Sequence, residues 1–136
     1  MVTGKTHIRV SYSDTDQMGF MHHSNYLKYY ETARWELFRN IGIPYNSIEK
    51  EGIILPVTEA SVKYIKPAYY DQEIVIETRI KCVKGPRIIF YFLATNENGD
   101  TINEAQITVA SVKKSTGKPL MMPKIILNKL TGLMNS

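Results

Sequence analysis

The chain has 136 residues, of which 43% are hydrophobic and 22% are charged, and this suits one globular domain with its own core. Its single cysteine, Cys82, excludes an intramolecular disulfide and indicates a reducing compartment. The net charge of +4 favours anionic partners, but the basic residues are scattered, which argues against nucleic acid and favours a phosphorylated small molecule.

No apolar run reaches the ~20 residues that cross a bilayer. The first seven residues also lack the apolar core of a secretory signal. We therefore expect no membrane segment and a cytoplasmic location. Without repeats, low-complexity tracts or flexible linkers, we expect one domain over residues 1–136.

The first predicted element is a strand from His7 to Tyr12. Ile8 and Val10 alternate there with polar residues, as they do in a half-buried strand. Turn-forming residues at 13–19 then break the alternation. The sequence therefore predicts that a strand leads into a polar loop.

A helix is predicted over residues 26–41. Ser24 or Asn25 can cap its start, and Gly42 can end it. At 100° per residue the helix has a broad apolar stripe, typical of a core helix. The members of this stripe are Tyr26, Leu27, Tyr30, Ala33, Leu37, Phe38 and Ile41.

The rest of the chain is predicted to form strands at residues 55–65, 73–82, 87–95 and 101–113, followed by a helical tail from Pro123. Strand 87–95 is apolar on both faces, so we expect it to be central. The inward positions of the other strands are Ala60, Val62, Tyr64, Ile74, Ile76, Thr78, Ile80, Cys82, Ala105, Ile107 and Val109. This order predicts an α+β fold, in which a five-stranded antiparallel sheet wraps around one long central helix. Since one helix cannot cover both faces of such a sheet, we also expect a homo-oligomer.

Three segments, in order, carry a family resemblance. Residues 12–26 begin Tyr-Ser-Asp-Thr-Asp-Gln-Met-Gly and end in Asn-Tyr, residues 30–34 read Tyr-Glu-Thr-Ala-Arg, and residues 62–71 contain Lys-Pro-Ala. Together they strongly resemble the signatures of 4-hydroxybenzoyl-CoA thioesterase-like and YbgC-like acyl-CoA thioesterases. The resemblance implies the hotdog fold, hydrolysis of an acyl-CoA to a free acid and coenzyme A, and a homodimer or homotetramer.

Asp16 is the candidate catalytic carboxylate. A loop aspartate more commonly bonds nearby backbone in a turn, but the resemblance matches Asp16 to the second aspartate of the family's Asp-Thr-Asp. It would then serve as general base or as nucleophile, and the sequence leaves both routes open. Asp14 is expected to brace the turn.

Gly19, His23 and Asn25 complete the expected site. Gly19 permits a positive φ or a close approach of backbone to the acyl group. The backbone N–H of His23, at the helix start, is expected to polarise the thioester carbonyl. Asn25 either caps the helix, which we prefer, or contacts the substrate. We expect neither a metal site nor a cofactor, because two adjacent histidines are poorly placed for joint chelation.

The helix carries one charge inside its stripe, Arg34, and one large aromatic opposite it, Trp35. Glu31 is a rival catalytic carboxylate, since other hotdog branches place theirs on the helix. We prefer a structural role in which Glu31 pairs with Arg34 at i,i+3. Trp35 suggests a second contact surface.

Lys84 and Arg87 flank the Gly85-Pro86 turn, where members of the resembled family bind CoA phosphates at subunit boundaries. Ordinary solvated charge is the alternative for both. Weaker candidates for the substrate site are Lys63, Lys66, Tyr64, Tyr69, Tyr70 and Phe90. Three other functions compete with an acyl-CoA thioesterase: a thioesterase for acyl carrier protein, a non-catalytic acyl-CoA-binding hotdog protein and, last, a nucleic-acid binder.

Overall fold

The computed structural model describes residues 2–134; positions 1, 135 and 136, at the ends of the predicted domain, lie outside the described residues. A short 3-10 helix, Tyr12–Asp14, follows the first strand. The described strands and α-helices are, in chain order, β1 (Val2–Arg9), α1 (Asn25–Asn40), α2 (Tyr45–Lys50), β2 (Ile53–Ile54), β3 (Val57–Tyr64), β4 (Glu73–Lys84), β5 (Arg87–Thr95), β6 (Thr101–Ala110), β7 (Val112–Lys113) and α3 (Lys124–Met134).

The main sheet has five strands in the order β1-β4-β5-β6-β3, and every neighbouring pair is antiparallel. The predicted five-stranded antiparallel sheet is therefore confirmed, with β5 at its centre. β2 and β7 form a separate two-stranded sheet. Since β1 and β3 stand at the edges, their outer backbone groups have no neighbouring strand among the described residues.

Helix α1 packs on the sheet through contacts with β1 and β4. Tyr30 stacks on Phe92 of β5 with ring centroids 4.6 Å apart, and Phe38 lies 5.9 Å from Phe90. All four rings are at least 99% buried, and full burial of an apolar side chain of this size contributes roughly 1.5–3 kcal/mol. The apolar stripe predicted for α1 differs from the observed buried face in one respect: Tyr29 is buried, whereas Leu27 is 45% exposed.

Strand β1 was predicted from His7 to Tyr12 but runs from Val2 to Arg9. It ends early because Ser11 to Thr15 fold into the 3-10 helix and its turn. Its start was missed because the inward position 4 is a glycine, which contributes nothing to an apolar alternation. A Cβ at Gly4 would lie 2.9 Å from Leu37 Cδ1, so this glycine lets α1 approach the strand closely.

Three other predictions need correction. Cys82 is only half-buried because a register shift after Ile80 moves it off the core positions of β4. Tyr64 and Ala60, expected to face the core, are exposed because β3 is an edge strand with little beyond it. The last long strand stops at Ala110, where Ser111 donates to Pro86 O at 2.7 Å and the chain leaves the sheet for β7.

The remaining elements close the ends of the sheet. Helix α2 was not predicted, since its six residues are too few to show a helical period. Helix α3, expected as a helical tail, buries Ile126 and Leu130. In the described part of the chain no helix is both long enough and apolar enough to cross a membrane.

Candidate active site

The loop between β1 and α1 is a closed turn with Asp16 near its tip. The N–H of Asp16 donates to Phe20 O at 2.8 Å, and that of Gly19 donates to Asp16 O at 3.1 Å. Thr15 and Met21 pair as an isolated bridge at its base. Gly19 has φ +82°, a conformation that costs a residue with a side chain about 1–2 kcal/mol. The positive φ expected for Gly19 is thus observed.

Asp14 fixes this loop to helix α1. Its residue is 8% exposed, and its carboxylate accepts hydrogen bonds from Lys28 Nζ at 2.8 Å and from the Tyr29 hydroxyl. These bonds, that of Lys28 first, hold the pKa of Asp14 below its ordinary value. The bracing role expected for Asp14 is therefore observed, and Tyr29 is buried to provide it.

The Asp16 carboxylate is held through one oxygen only. Oδ1 accepts from the backbone N–H groups of Met18 at 2.9 Å and Phe20 at 3.2 Å. Oδ2 forms no hydrogen bond with any residue of the described range 2–134. The turn-forming role that loop aspartates commonly have is thus present here, and it leaves the second oxygen available for chemistry.

That carboxylate faces a cavity of about 330 Å³ at the entrance to α1. One wall comes from the loop and the helix start, and the other from the end of β3. The lining residues are Asp16, Phe20, Met21, His23, Tyr26, Tyr64, Ile65, Lys66 and Pro67. The structure therefore brings together Asp16 and His23, which the sequence predicted, with an aromatic wall that was not fully foreseen.

The segment that leads into α1 includes His23, a lining residue of this cavity, whose backbone N–H is unused. The N–H of Asn25 donates to His22 O at 3.0 Å, and that of Ser24 is taken by His22 Nδ1 at 3.2 Å. The N–H of His23 makes no hydrogen bond with any described residue. A free N–H at a helix N-terminus attracts negative charge, so this donor suits a carbonyl oxygen that becomes charged.

Asn25 does not cap the helix, contrary to the preferred prediction. It is the first residue of α1, and its side-chain Nδ2 donates to Asp14 O at 2.9 Å. Ser24 forms no side-chain cap either. Because Asn25 lies outside the cavity lining, its amide links the helix start to the braced loop.

Tyrosines form the far wall of the cavity. The Tyr64 hydroxyl donates to His23 O at 3.4 Å, and its ring lies 5.7 Å from that of Tyr26. Burial, with Tyr64 as a further cause, raises the pKa of Tyr26 to about 12. Tyr26 therefore stays neutral, and the two tyrosines provide apolar and hydrogen-bonding surface. Tyr26 was assigned only to the core, and nothing in its helical position distinguished the two roles.

Of the weaker candidates, only Tyr64 and Lys66 line the cavity, and Lys66 pairs with Asp100 at 3.4 Å. Tyr69 packs edge-on against Phe20, at 5.2 Å, behind the lining. The residues outside the lining are Lys63, Tyr69, Tyr70 and Phe90. Phe20, Met21 and Pro67 were not predicted as lining, since an apolar loop residue gives no sign of the cavity it borders.

Lys84 and Arg87 are not near Asp16 in the same protomer. They face each other across the β4–β5 hairpin and line a separate cavity of about 420 Å³ with Thr58 and Glu59, at the start of β3. The Asp16 cavity lies at the other end of that strand, beside Tyr64. The strand rise places the two ends about 20 Å apart.

The predicted Glu31–Arg34 ion pair is absent among the described residues. Glu31 instead accepts from Trp35 Nε1 at 3.3 Å, at i,i+4. Arg34 lies 5.4 Å from the Trp35 ring and 5.9 Å from that of Phe90. Trp35 does form a second contact surface, as predicted, because its ring packs on Tyr45 of α2 at 3.8 Å.

The described residues contain no cluster of three or more side chains able to hold a metal ion. His22 and His23 stack with ring centroids 4.2 Å apart, and Nδ1 of His22 contacts Ser24 Oγ at 2.8 Å. The cavity lining combines a carboxylate, a residue with a free backbone N–H and aromatic walls. A carboxylate and a hydrogen-bond donor around an acyl group can support its hydrolysis.

Comparison with known proteins agrees with this chemistry. The Thioesterase-like superfamily matches residues 10–130. The acyl-CoA thioester hydrolase YbgC of Escherichia coli O6:H1 is 32% identical over 120 residues, covering 88% of this chain and 90% of that protein. The acyl-CoA thioesterase YbgC of Haemophilus influenzae is 30% identical over 118 residues, covering 86% of each. The chain therefore belongs to the thioesterase-like superfamily.

Within that superfamily the resemblance to YbgC-like proteins, which the loop and helix motifs indicated, is confirmed. A DHNA-CoA thioesterase from Staphylococcus aureus has a similar crystal structure, with a TM-score of 0.95 at 27% identity. The match covers 99% of this chain and 93% of that one. The hotdog class of fold is thereby confirmed as well.

Proposed function

We propose that this protein is an acyl-CoA thioesterase and that Asp16 is the carboxylate at its reaction centre. The observation that carries this is that Asp16, whose Oδ2 is free, and His23, whose backbone N–H is unused, line the same cavity. The YbgC relatives bear the names of acyl-CoA thioesterases and thioester hydrolases. A base opposite a carbonyl-polarising donor is the arrangement that thioester hydrolysis requires.

In the proposed reaction the acyl carbonyl oxygen accepts a hydrogen bond from the His23 N–H. Asp16 then takes a proton from a water that attacks the carbonyl carbon, or attacks that carbon itself to form an anhydride that water opens. In the first route the carbon–sulfur bond breaks when the tetrahedral intermediate collapses, and the proton held by Asp16 passes to the CoA thiolate. In the second route that bond breaks as the anhydride forms, and the water that opens the anhydride supplies the proton. Both routes require a free Oδ2 and a fixed Oδ1, and the backbone N–H groups of Met18 and Phe20 fix Oδ1 by hydrogen bonding.

Two other residues position this reaction centre. Gly19 permits the turn that brings the Phe20 N–H to Asp16, so we assign it a role through the backbone rather than through substrate contact. Asn25 ties the first turn of α1 to the carbonyl of Asp14, which keeps the His23 N–H opposite Asp16. Asn25 is thus a positioning residue in this proposal.

The test is Asp16→Asn, which keeps the shape and the two backbone bonds while removing the charge. We expect kcat on an acyl-CoA to fall by about 100- to 10,000-fold, equivalent to about 3–5 kcal/mol of barrier. A thiol-detecting reagent reads the released CoA, and the melting temperature checks the fold. Asp71→Asn, in an exposed loop outside the cavity, is the matched control. Normal turnover by Asp16→Asn would contradict the role assigned to Asp16.

We further propose a homodimer formed by edge-to-edge pairing of β3, whose residues are exposed except for half-buried Val62. Two antiparallel copies of one strand place the start of each beside the end of the other. Lys84 and Arg87 of one protomer would then approach the Asp16 cavity of its partner and bind the CoA phosphates. The outer sheet face, with Tyr91 and Leu93 half-buried, leaves a second surface for a tetramer.

We also propose that the protein is cytoplasmic and that the chain forms one thioesterase domain. Cys82 is a free, half-buried thiol, which suits the reducing cytoplasm. The superfamily match over residues 10–130 supports one thioesterase domain.

A further inference from the structure

Arg34 is a buried charge that the proposed hydrolysis does not use. The residue is 4% exposed, yet its guanidinium forms no hydrogen bond and no ion pair with any described residue. Its contacts are the faces of Trp35 and Phe90, and the nearest carboxylate on its helix, Glu31, is bonded to Trp35 instead. Its five N–H donors thus have no acceptor among the described residues, although its nitrogens are not sealed from solvent.

Aromatic contacts do not compensate for this burial. Cation–π attraction recovers only part of what a guanidinium loses when it leaves water. Burial accordingly lowers the pKa of Arg34, opposed in part by the nearby charge of Glu31. Arginine nevertheless keeps its proton in proteins, so a positive charge remains in this position and favours an anionic acceptor.

That charge borders a third cavity. The cavity has a volume of about 330 Å³ and lies between α1, α2 and the segment leading into β3. Its lining residues are Glu31, Arg34, Trp35, Tyr45, Ile54, Leu55, Pro56 and Val57. None of them lines the Asp16 cavity, so the two sites are separate within one protomer.

The lining indicates which anion fits. Trp35 and Tyr45 supply aromatic surface, and the residues from position 54 to 57 supply aliphatic surface. Arg34 is the single cation in this lining and Glu31 adds a negative charge, which disfavours a phosphate dianion. A carboxylate matches the fork of one guanidinium with two parallel hydrogen bonds, and its apolar remainder can pack on the rings.

We propose that this cavity binds a small organic carboxylate, aromatic or short-chain, through an ion pair with Arg34. The lining of this cavity does not include Asp16 of the same protomer, and binding there goes beyond the hydrolysis of a thioester. Free carboxylic acids, the products of such hydrolysis, belong to the class of ligand that the cavity would accept.

Trp35 provides the readout, because it is the one tryptophan of the chain and lines the cavity. We expect benzoate to change its fluorescence saturably, and benzamide, of the same shape without the charge, to bind at least about tenfold more weakly. Equal responses to the two compounds, or none to benzoate, would overturn the proposal. The Asp16→Asn variant should give the benzoate curve of the unaltered protein, so this test does not depend on the outcome of the catalytic one.

Two variants sharpen the test. Arg34→Gln should weaken benzoate binding at least about tenfold, whereas Arg79→Gln on the outer face of the sheet should not. Since a buried substitution can unfold the chain, Glu31→Gln supplies an exposed alternative that still accepts from Trp35. Removal of that negative charge should tighten benzoate binding by about threefold. Unchanged or weaker binding by Glu31→Gln would contradict the ion pair.

Discussion

Replacement of Asp14 by asparagine should loosen the loop between β1 and α1 and destabilise the whole fold. The carboxylate accepts from Lys28 Nζ at 2.8 Å and from the Tyr29 hydroxyl in a nearly buried position. Asparagine removes the charge and turns one acceptor into a donor that faces these donors. A hydrogen bond to a charged group contributes about 1.5–3 kcal/mol, and we expect a loss of that size in the free energy of unfolding.

The corresponding change in melting temperature is large enough to measure. At about 2.1 cal/mol/K of unfolding entropy per residue, a chain of this length loses about 5–10 °C. Tyr29→Phe supplies the second variant for a double-mutant cycle in unfolding by urea, and a coupling of at least about 0.5 kcal/mol is expected. Additive effects, or a melting temperature within about 1 °C of the unaltered protein, would refute the bracing role of Asp14.

The pH dependence of the same variant has a definite sign. The folded-state pKa of Asp14 is lowered, so its contribution to stability is complete above the unfolded-state pKa of about 3.9. That contribution is lost as the pH falls through the lower, folded-state value. The stability difference between the unaltered protein and Asp14→Asn should therefore be constant near neutral pH and shrink in acid. A difference that grows in acid would contradict the assignment.

The remaining predictions concern the proposed assembly. Joint replacement of Lys84 and Arg87 by alanine should raise KM for an acyl-CoA by about 5- to 30-fold with kcat nearly unchanged. Alanine at exposed Lys118 and Lys124 should leave both KM and kcat unchanged. An unchanged KM after replacement of Lys84 and Arg87 would exclude these two residues from the substrate site. Light scattering should give two or four times the chain mass of 15.6 kDa, whereas a stable monomer would rule out the proposed edge-to-edge pairing of β3.

The elements with a clear period were predictable from the sequence. β5 was placed at its observed bounds, and α1 was placed within one residue of both its ends. β4 was recognised because Ile74, Ile76, Thr78 and Ile80 alternate with polar residues without a break. A regular pattern along one segment is enough for such elements, since each buries a single face.

Contacts between segments were harder to predict. Glu31 has two possible partners at helical spacing, Arg34 and Trp35. The sequence could not show that the Trp35 indole, and not Arg34, would donate to it. Asparagine commonly caps helices, but the Asn25 amide instead donates to the carbonyl of Asp14. That carbonyl comes within reach only once the loop has folded. These choices depend on where a separate part of the chain passes, which local pattern does not contain.

The candidate site was half predictable for the same reason. Asp16, Gly19 and His23 share one short motif, so their proximity follows from the sequence. Lys84 and Arg87 lie far along the chain, and their distance from Asp16 follows from the sheet order. Proximity of the two groups requires a second copy of the chain, which no single-chain pattern describes.

The two oxygens of the Asp16 side chain have different tasks, and this restricts the residues that position 16 can accept. One oxygen completes a structural turn with Met18 and Phe20 while the other stays open. A glutamate would carry the acid one methylene too far for both amides, and an asparagine would fit without the charge. Of these three residues, only aspartate both completes the turn and leaves a charged oxygen open to the cavity side of the loop.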